Sequence, residues 1–117
     1  MGRLTTHVLD LTTGKPAAAL AIELWRHDGD HSAHLKTVQT NGDGRIDRPL
    51  LEGAALTSGT YELRFMAGDY LKRQGAELPE PLFLDMVPIR FGVADPGAHY
   101  HVPLLLSAHG YSTYRGS

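Results

Sequence analysis

Short runs in which apolar and polar residues tend to alternate recur along the chain, each closed by a cluster of turn-forming residues. Residues 4–11 (LTTHVLDL), 18–26 (AALAIELWR), 34–40 (HLKTVQT), 60–67 (TYELRFMA), 82–91 (LFLDMVPIRF) and 99–107 (HYHVPLLLS) mix β-branched, aromatic and leucine residues with partial period-two alternation. That is the pattern of strands with one buried face. Between them lie Thr13-Gly14-Lys15-Pro16, His27-Asp28-Gly29-Asp30, Asn41-Gly42-Asp43-Gly44, Ser58-Gly59 and Asp95-Pro96-Gly97, rich in residues that tolerate positive φ or preset a turn. The spacing predicts an all-β sandwich. One stretch departs from it: Tyr70–Leu78 (YLKRQGAEL) predicts a helix of about two turns, weakened by Gly75 and bounded by Pro79. The run 99–107 is apolar on nearly both faces, so a facing sheet or another subunit is expected to cover the second face. The polar stretch RHDGDHSAHL predicts a solvated loop holding His27, His31 and His34.

Composition narrows the class. A chain of 117 residues is expected to form one domain, 1–117, and its 42% hydrophobic and 21% charged residues are those of an ordinary globular protein. A net charge of -2 provides no basic field for nucleic acid or for an anionic membrane surface, so neither is an expected partner. The absence of cysteine removes disulfides, thiolate metal sites and cysteine nucleophiles together. The opening MGRLTTHVLDLTTG enters the strand pattern without an apolar leader, and no run reaches membrane-spanning length. A cytoplasmic location is therefore the expectation, and a peroxisomal one is less favoured because the ending RGS differs from the SKL address.

Chemistry is then left to histidine, arginine, tyrosine and serine. On a strand, His99 and His101 share a face with Cα atoms roughly 7 Å apart. The pair suits a metal site or two bases around a water, and equally a partly exposed pair at a strand start. His7 shares its face with Thr5 and Leu9, where a lone histidine is ordinarily a hydrogen-bonded rim residue. Arg45 follows the turn TNGDG and is either solvated or a planar, permanently charged donor for an anionic or carbonyl-rich ligand. A calcium loop is excluded, since the best register puts Gln39 at position one and Leu50 at position twelve. No nucleophile elbow, phosphate-binding glycine loop or carboxylate pair is present. The tail, Tyr111 to Ser117 (YSTYRGS), is strand-forming and aromatic where a terminus ordinarily frays, so it needs a partner.

LTTHVLDLTTGKPA near the start, GDGR in the middle, HYHVPLLLS near the end and YRGS at the terminus together resemble the 5-hydroxyisourate hydrolase family of transthyretin-related proteins, over essentially the whole chain. The resemblance implies a transthyretin-like sandwich of two four-stranded antiparallel sheets with one short helix. It also implies a homotetramer with active sites between dimers, and hydrolysis of 5-hydroxyisourate, a small purine-derived substrate of urate degradation, without a cofactor. The family's catalytic histidines fall on His7 and His101, its arginine on Arg45, its substrate-contacting tail tyrosine on Tyr114 and its terminal serine on Ser117. His99 matches the His-x-His pattern as a further substrate contact, and Arg115 is expected as another in the same cleft. Two other readings remain. One is a transthyretin-like carrier of aromatic ligands; the other is a zinc hydrolase built on His7, His99 and His101.

Overall fold

The computed structural model describes residues 1–75 and 77–116. In chain order its strands are β1 (Arg3–Asp10), β2 (Lys15–Pro16), β3 (Ala21–Asp28), β4 (His31–Gln39), β5 (Leu51–Glu52), β6 (Gly59–Phe65), β7 (Val87–Val93), β8 (His99–Leu106) and β9 (Tyr111–Ser112). One helix, α1 (Ala67–Arg73), follows β6, and a short 3-10 turn at Gly53–Ala55 follows β5. The first sheet runs β2-β1-β8-β9 with β5 also paired to β1; the second runs β4-β3-β6-β7.

The alternation seen in the sequence decides which face is buried. In β1, Leu4, Thr6, Val8 and Asp10 are buried while Thr5, His7 and Leu9 lie on the partly exposed face. Leu24 and Ile22 of β3, Leu63 and Phe65 of β6 and Leu104 and Leu106 of β8 join Leu4 and Val8 in one core between the sheets. Each such side chain contributes roughly 1.5–3 kcal/mol of burial, which fixes strand register because a one-residue slip would turn the whole set to water.

The expected antiparallel arrangement holds in the second sheet but not throughout the first. There β1 and β8 pair in parallel from Arg3–His99 to Asp10–Leu106. The two strands come from opposite ends of the chain, so no hairpin constrains them to run antiparallel.

The helix begins three residues earlier than Tyr70 and ends at Arg73, because Gly75 adopts φ +80° just beyond it and Gly takes this conformation without steric cost. The helix buries Ala67, Gly68, Tyr70 and Leu71. The Tyr70 hydroxyl donates to Asp10 Oδ2 at 2.7 Å, while Asp10 Oδ1 accepts the Thr12 N–H at 2.9 Å, tying the helix to the end of β1. Burial, then the carboxylate, push the Tyr70 phenol well above its ordinary pKa. The stretch expected to be a histidine-bearing loop is instead a hairpin. His27 lies near the end of β3 and is half-buried, while His31 and His34 belong to β4 and are exposed, so the solvation expected for these two holds although the loop does not. Strand β4 is an edge strand exposed on both faces over most of its length, so it carries no alternation to reveal it. The strand expected over 82–91 starts later, at Val87.

Candidate active site

Parallel pairing of β1 with β8 sets Thr5 opposite His101, Arg3 opposite His99 and His7 opposite Pro103. Because side chains alternate across a strand, Arg3, Thr5 and His7 share the outer face of the first sheet with His99 and His101. Strands that are central to the sheet thus deliver three imidazoles to one surface from residues almost a chain length apart.

Two flanking segments widen this face. On the β1 side, Arg45 forms a bridge with His7; on the β8 side, Gly116 forms one with His101. The turn before Arg45 is closed by Asn41. Its N–H donates to the Arg45 carbonyl at 2.7 Å, and its Oδ1 accepts the N–H groups of Asp43 at 2.9 Å and Arg45 at 3.2 Å. Gly44 has φ +71°, and a Cβ there would lie 2.4 Å from the Val8 carbonyl oxygen. Only glycine lets this turn press against β1, where the Val8 N–H donates to the Gly44 carbonyl at 2.9 Å. The sequence NGDGR therefore sets Arg45 beside His7.

The tail is ordered because it continues the sheet. Leu105 pairs with Ser112 and Leu106 with Tyr111. Further on, the Thr113 hydroxyl donates to the Pro103 carbonyl at 2.7 Å, and the Gly116 N–H donates to the His101 carbonyl at 2.8 Å. Tyr114 and Gly116 line a cleft of about 530 Å³ together with Arg45, Arg48, His99 and His101. His7 adjoins it at the Arg45 bridge. Arg115 does not enter this cleft. Its guanidinium lies 4.1 Å over the Tyr100 ring, it donates to the His99 carbonyl at 3.3 Å, and it lines a neighbouring groove of about 370 Å³ with Phe91 and Val102. Ser117 lies outside the described residues.

Residues that sequence reasoning missed also line the cleft, among them Arg3, Thr5, Arg48 and one carboxylate, Asp47. Alternation from His7 back to Thr5 and Arg3 carried a signal for the first two; for Arg48 the sequence carried none. Among the described residues no carboxylate forms an ion pair with Arg3, Arg45 or Arg48. The cleft is consequently suited to an anionic or carbonyl-rich ligand.

That positive charge acts on the histidines. Burial, then the Arg45 guanidinium, hold the His7 pKa below its ordinary value of 6.5, against a smaller opposite pull from a hydrogen bond to the Asp43 backbone. Burial lowers His101 as well, followed by Arg45, His7 and His99. Neutral imidazoles at pH 7 are able to accept a proton. Among the described residues no three His, Asp or Glu side chains are placed to hold one metal ion. The His99 and His101 ring centroids stand 6.4 Å apart, with the Thr5 hydroxyl bonded to both rings.

The chain is similar to known proteins over its whole length. A 5-hydroxyisourate hydrolase of Mesorhizobium japonicum is 67% identical over 99% of this chain and 93% of its own. A 5-hydroxyisourate hydrolase 2 of Rhizobium meliloti is 61% identical over 99% and 97%. Among solved structures, Klebsiella pneumoniae 5-hydroxyisourate hydrolase superposes with a TM-score of 0.82 at 35% identity, covering 100% of both chains. An (S)-allantoin synthase superposes with a TM-score of 0.94 at 43% identity over 99% of this chain, which spans 44% of that longer one. Sea bream transthyretin, solved in complex with thyroxine, gives 0.85 at 26% identity over 97% of this chain and 94% of its own. The HIUase/Transthyretin family model matches residues 4–116, and the chain belongs to that family.

Proposed function

We propose that the chain hydrolyses 5-hydroxyisourate, opening its six-membered ring to 2-oxo-4-hydroxy-4-carboxy-5-ureidoimidazoline. The observation that carries the reading is the gathering of His7, His99, His101 and Arg45 on the outer face of the first sheet. The names of its relatives supply the substrate. Hydrolysis of a cyclic amide needs a base for water, an anchor for a flat polar ring and a donor for the developing oxyanion. In this reading neutral His7 and His101 orient and deprotonate the water. Arg45 binds the ring and stabilises charge on the attacked carbonyl, His99 supports its neighbour, and Tyr114 and Ser117 place the substrate. No metal takes part. The protein works as a cytoplasmic homotetramer whose clefts are completed between dimers.

The likeness to a thyroxine-bound transthyretin supports a second reading, a carrier. Against it stands the charge of the cleft, since three arginines with no ion-pairing carboxylate among the described residues, beside a single lining carboxylate, Asp47, are costly to desolvate against the aromatic rings of a hormone. The test is an absorbance assay in which urate oxidase generates 5-hydroxyisourate before the protein is added, with and without chelator. Chelator-insensitive acceleration of its decay is the expected result. Loss of activity on chelation would replace the metal-free mechanism with the zinc one. No acceleration, together with tight thyroxine binding, would favour the carrier.

A further inference from the structure

Thr5 occupies a position that the proposed reaction does not by itself demand. Its Oγ1 lies 2.9 Å from Nε2 of His99 and 2.8 Å from Nδ1 of His101. The strand register explains why, since Thr5 pairs directly with His101 across the parallel ladder and is diagonal to His99. A threonine hydroxyl has one proton and two acceptor lone pairs. It can donate to at most one of these rings, and must accept from any ring to which it does not donate. The state in which both rings offer a bare nitrogen to Thr5 is excluded, so the tautomers of His99 and His101 are linked.

The second edge of the His101 ring is closed by the tail. A Cβ on Gly116 would lie 2.6 Å from Cδ2 of His101 and 3.2 Å from its Cγ, so the glycine backbone abuts the imidazole directly. Thr5 grips the ring at Nδ1 and Gly116 blocks rotation at the other side. The nitrogen left for the cleft is Nε2. Whether it works as a base depends on which nitrogen of His101 holds the proton. With the proton on Nδ1, donated to Thr5, Nε2 presents a lone pair; with the proton on Nε2, it cannot accept one. The three arginines lining the cleft outnumber its one lining carboxylate, Asp47, so they disfavour an N–H directed among them and favour the first state.

We infer that Thr5 is a positioning residue which accepts the Nδ1–H of His101, donates its own proton to Nε2 of His99, and so keeps Nε2 of His101 bare toward the cleft. This rests on the proposed hydrolase reading for its catalytic consequence, but not for the tautomers. The arrangement also survives the reaction. When Nε2 takes a proton from water, His101 becomes an imidazolium with both N–H groups present, and Thr5 still accepts from Nδ1. No bond to Thr5 has to break.

The experiment compares wild type with Thr5→Val, which keeps the shape but removes the hydroxyl, and Thr5→Ser, which restores it. Long-range ¹H–¹⁵N correlation spectra of the histidine rings, assigned with His99→Gln and His101→Gln, report the tautomers directly and need no substrate. Wild type and Thr5→Ser are expected to show His101 protonated at Nδ1, and Thr5→Val a mixture or the Nε2–H form. In the hydrolase assay Thr5→Val is expected to lose roughly 10- to 100-fold in kcat with KM little changed, and Thr5→Ser to recover most of it. Wild-type His101 protonated at Nε2, or unchanged tautomers in Thr5→Val, would overturn the inference even if the hydrolase activity stands. An inactive wild type with the expected tautomers would sink the hydrolase reading and leave the positioning role in place.

Discussion

Neutral imidazoles next to a guanidinium with no ion-pair partner among the described residues are the condition on which the proposed chemistry depends, and pH tests it. Burial and Arg45 lower the pKa of both His7 and His101 from 6.5, so each binds its proton less readily in the folded chain than in the unfolded one. Stability from keeping them neutral is fully present above pH 6.5 and is lost as pH falls through the lowered values. Activity should follow the same sign. A plot of log kcat/KM is expected to be flat near neutrality and to fall on the acid side below 6.5, and a rise toward acid would remove the histidines as bases. Replacing His101 by Asn is expected to cost about 100-fold or more in kcat, within the range general base catalysis supplies. Arg45→Lys keeps the charge and loses the planar fork, so KM should rise several-fold more than kcat falls. Glu62 is a separate residue-scale case on the second sheet. It is 4% exposed, yet accepts hydrogen bonds from Arg64 and from Arg90 at 3.1 Å and lies 3.0 Å from His27. Burial alone would raise its pKa, and the two arginine hydrogen bonds outweigh that and lower it. Glu62→Gln should destabilise by about 1–3 kcal/mol in urea unfolding without affecting turnover, because the network lies on the other sheet. His7, Arg45, His101 and Tyr114 were legible as candidate site residues because their motifs were in view. Thr5 was passed over because a threonine in a strand ordinarily reads as a strand former, and its bonds to two histidines near the opposite end of the chain leave no local trace.

At the scale of elements, the turn at 41–45 converts sequence into site. Gly44→Ala would force a side chain into a φ of +71° with its Cβ 2.4 Å from the Val8 carbonyl oxygen, so the turn must lift away from β1 and carry Arg45 with it. The conformational part alone costs roughly 1–2 kcal/mol. The expected outcome is a raised KM alongside a melting point lowered by a few degrees, whereas Gly42→Ala, with open space around its Cβ, should change neither measurement. A Gly44→Ala protein with wild-type KM would show that Arg45 is held by something other than this turn. The elements most legible in the sequence were those with a buried and an exposed face. Strand β1 alternates cleanly, and β8 was found within a residue of its true end. Strand β4 was cut short because an edge strand exposed on both sides needs no apolar positions. The helix was misplaced because its N-terminal turn, Ala67-Gly68-Asp69, buries small residues that look like a continuation of β6. Parallel pairing of β1 with β8 was not legible at all, since side-chain alternation is the same in either direction.

For the whole molecule, the two outer faces have opposite characters. On the second sheet the charges are satisfied internally, with Glu62 among its cations and the Arg64 guanidinium 4.1 Å over the Trp25 ring. On the first sheet Arg3, Arg45 and Arg48 line a cleft with no ion-pairing carboxylate among the described residues, and exposed Tyr114 stands at its edge. A protomer by itself leaves this cleft open on the outer face of the first sheet. Hydrolysis does not require water to be excluded, but positioning one water against a bound ring does require walls, and desolvation strengthens every charge that acts on the oxyanion. Assembly across this face would supply the missing wall and would need the cleft's positive charge to be tolerated between copies. An anionic ligand should therefore stabilise the assembly, because whatever binds the assembled state preferentially shifts it by mass action. Sedimentation velocity and the hydrolase assay, run on one dilution series at pH 7.5 with and without a non-hydrolysable urate analogue, give the check. Specific activity is expected to fall in step with the tetramer fraction, and the analogue to move both curves to lower protein concentration. Full turnover by a dissociated protomer would mean that the cleft described within one chain is already the complete site, and that the subunits meet for stability alone.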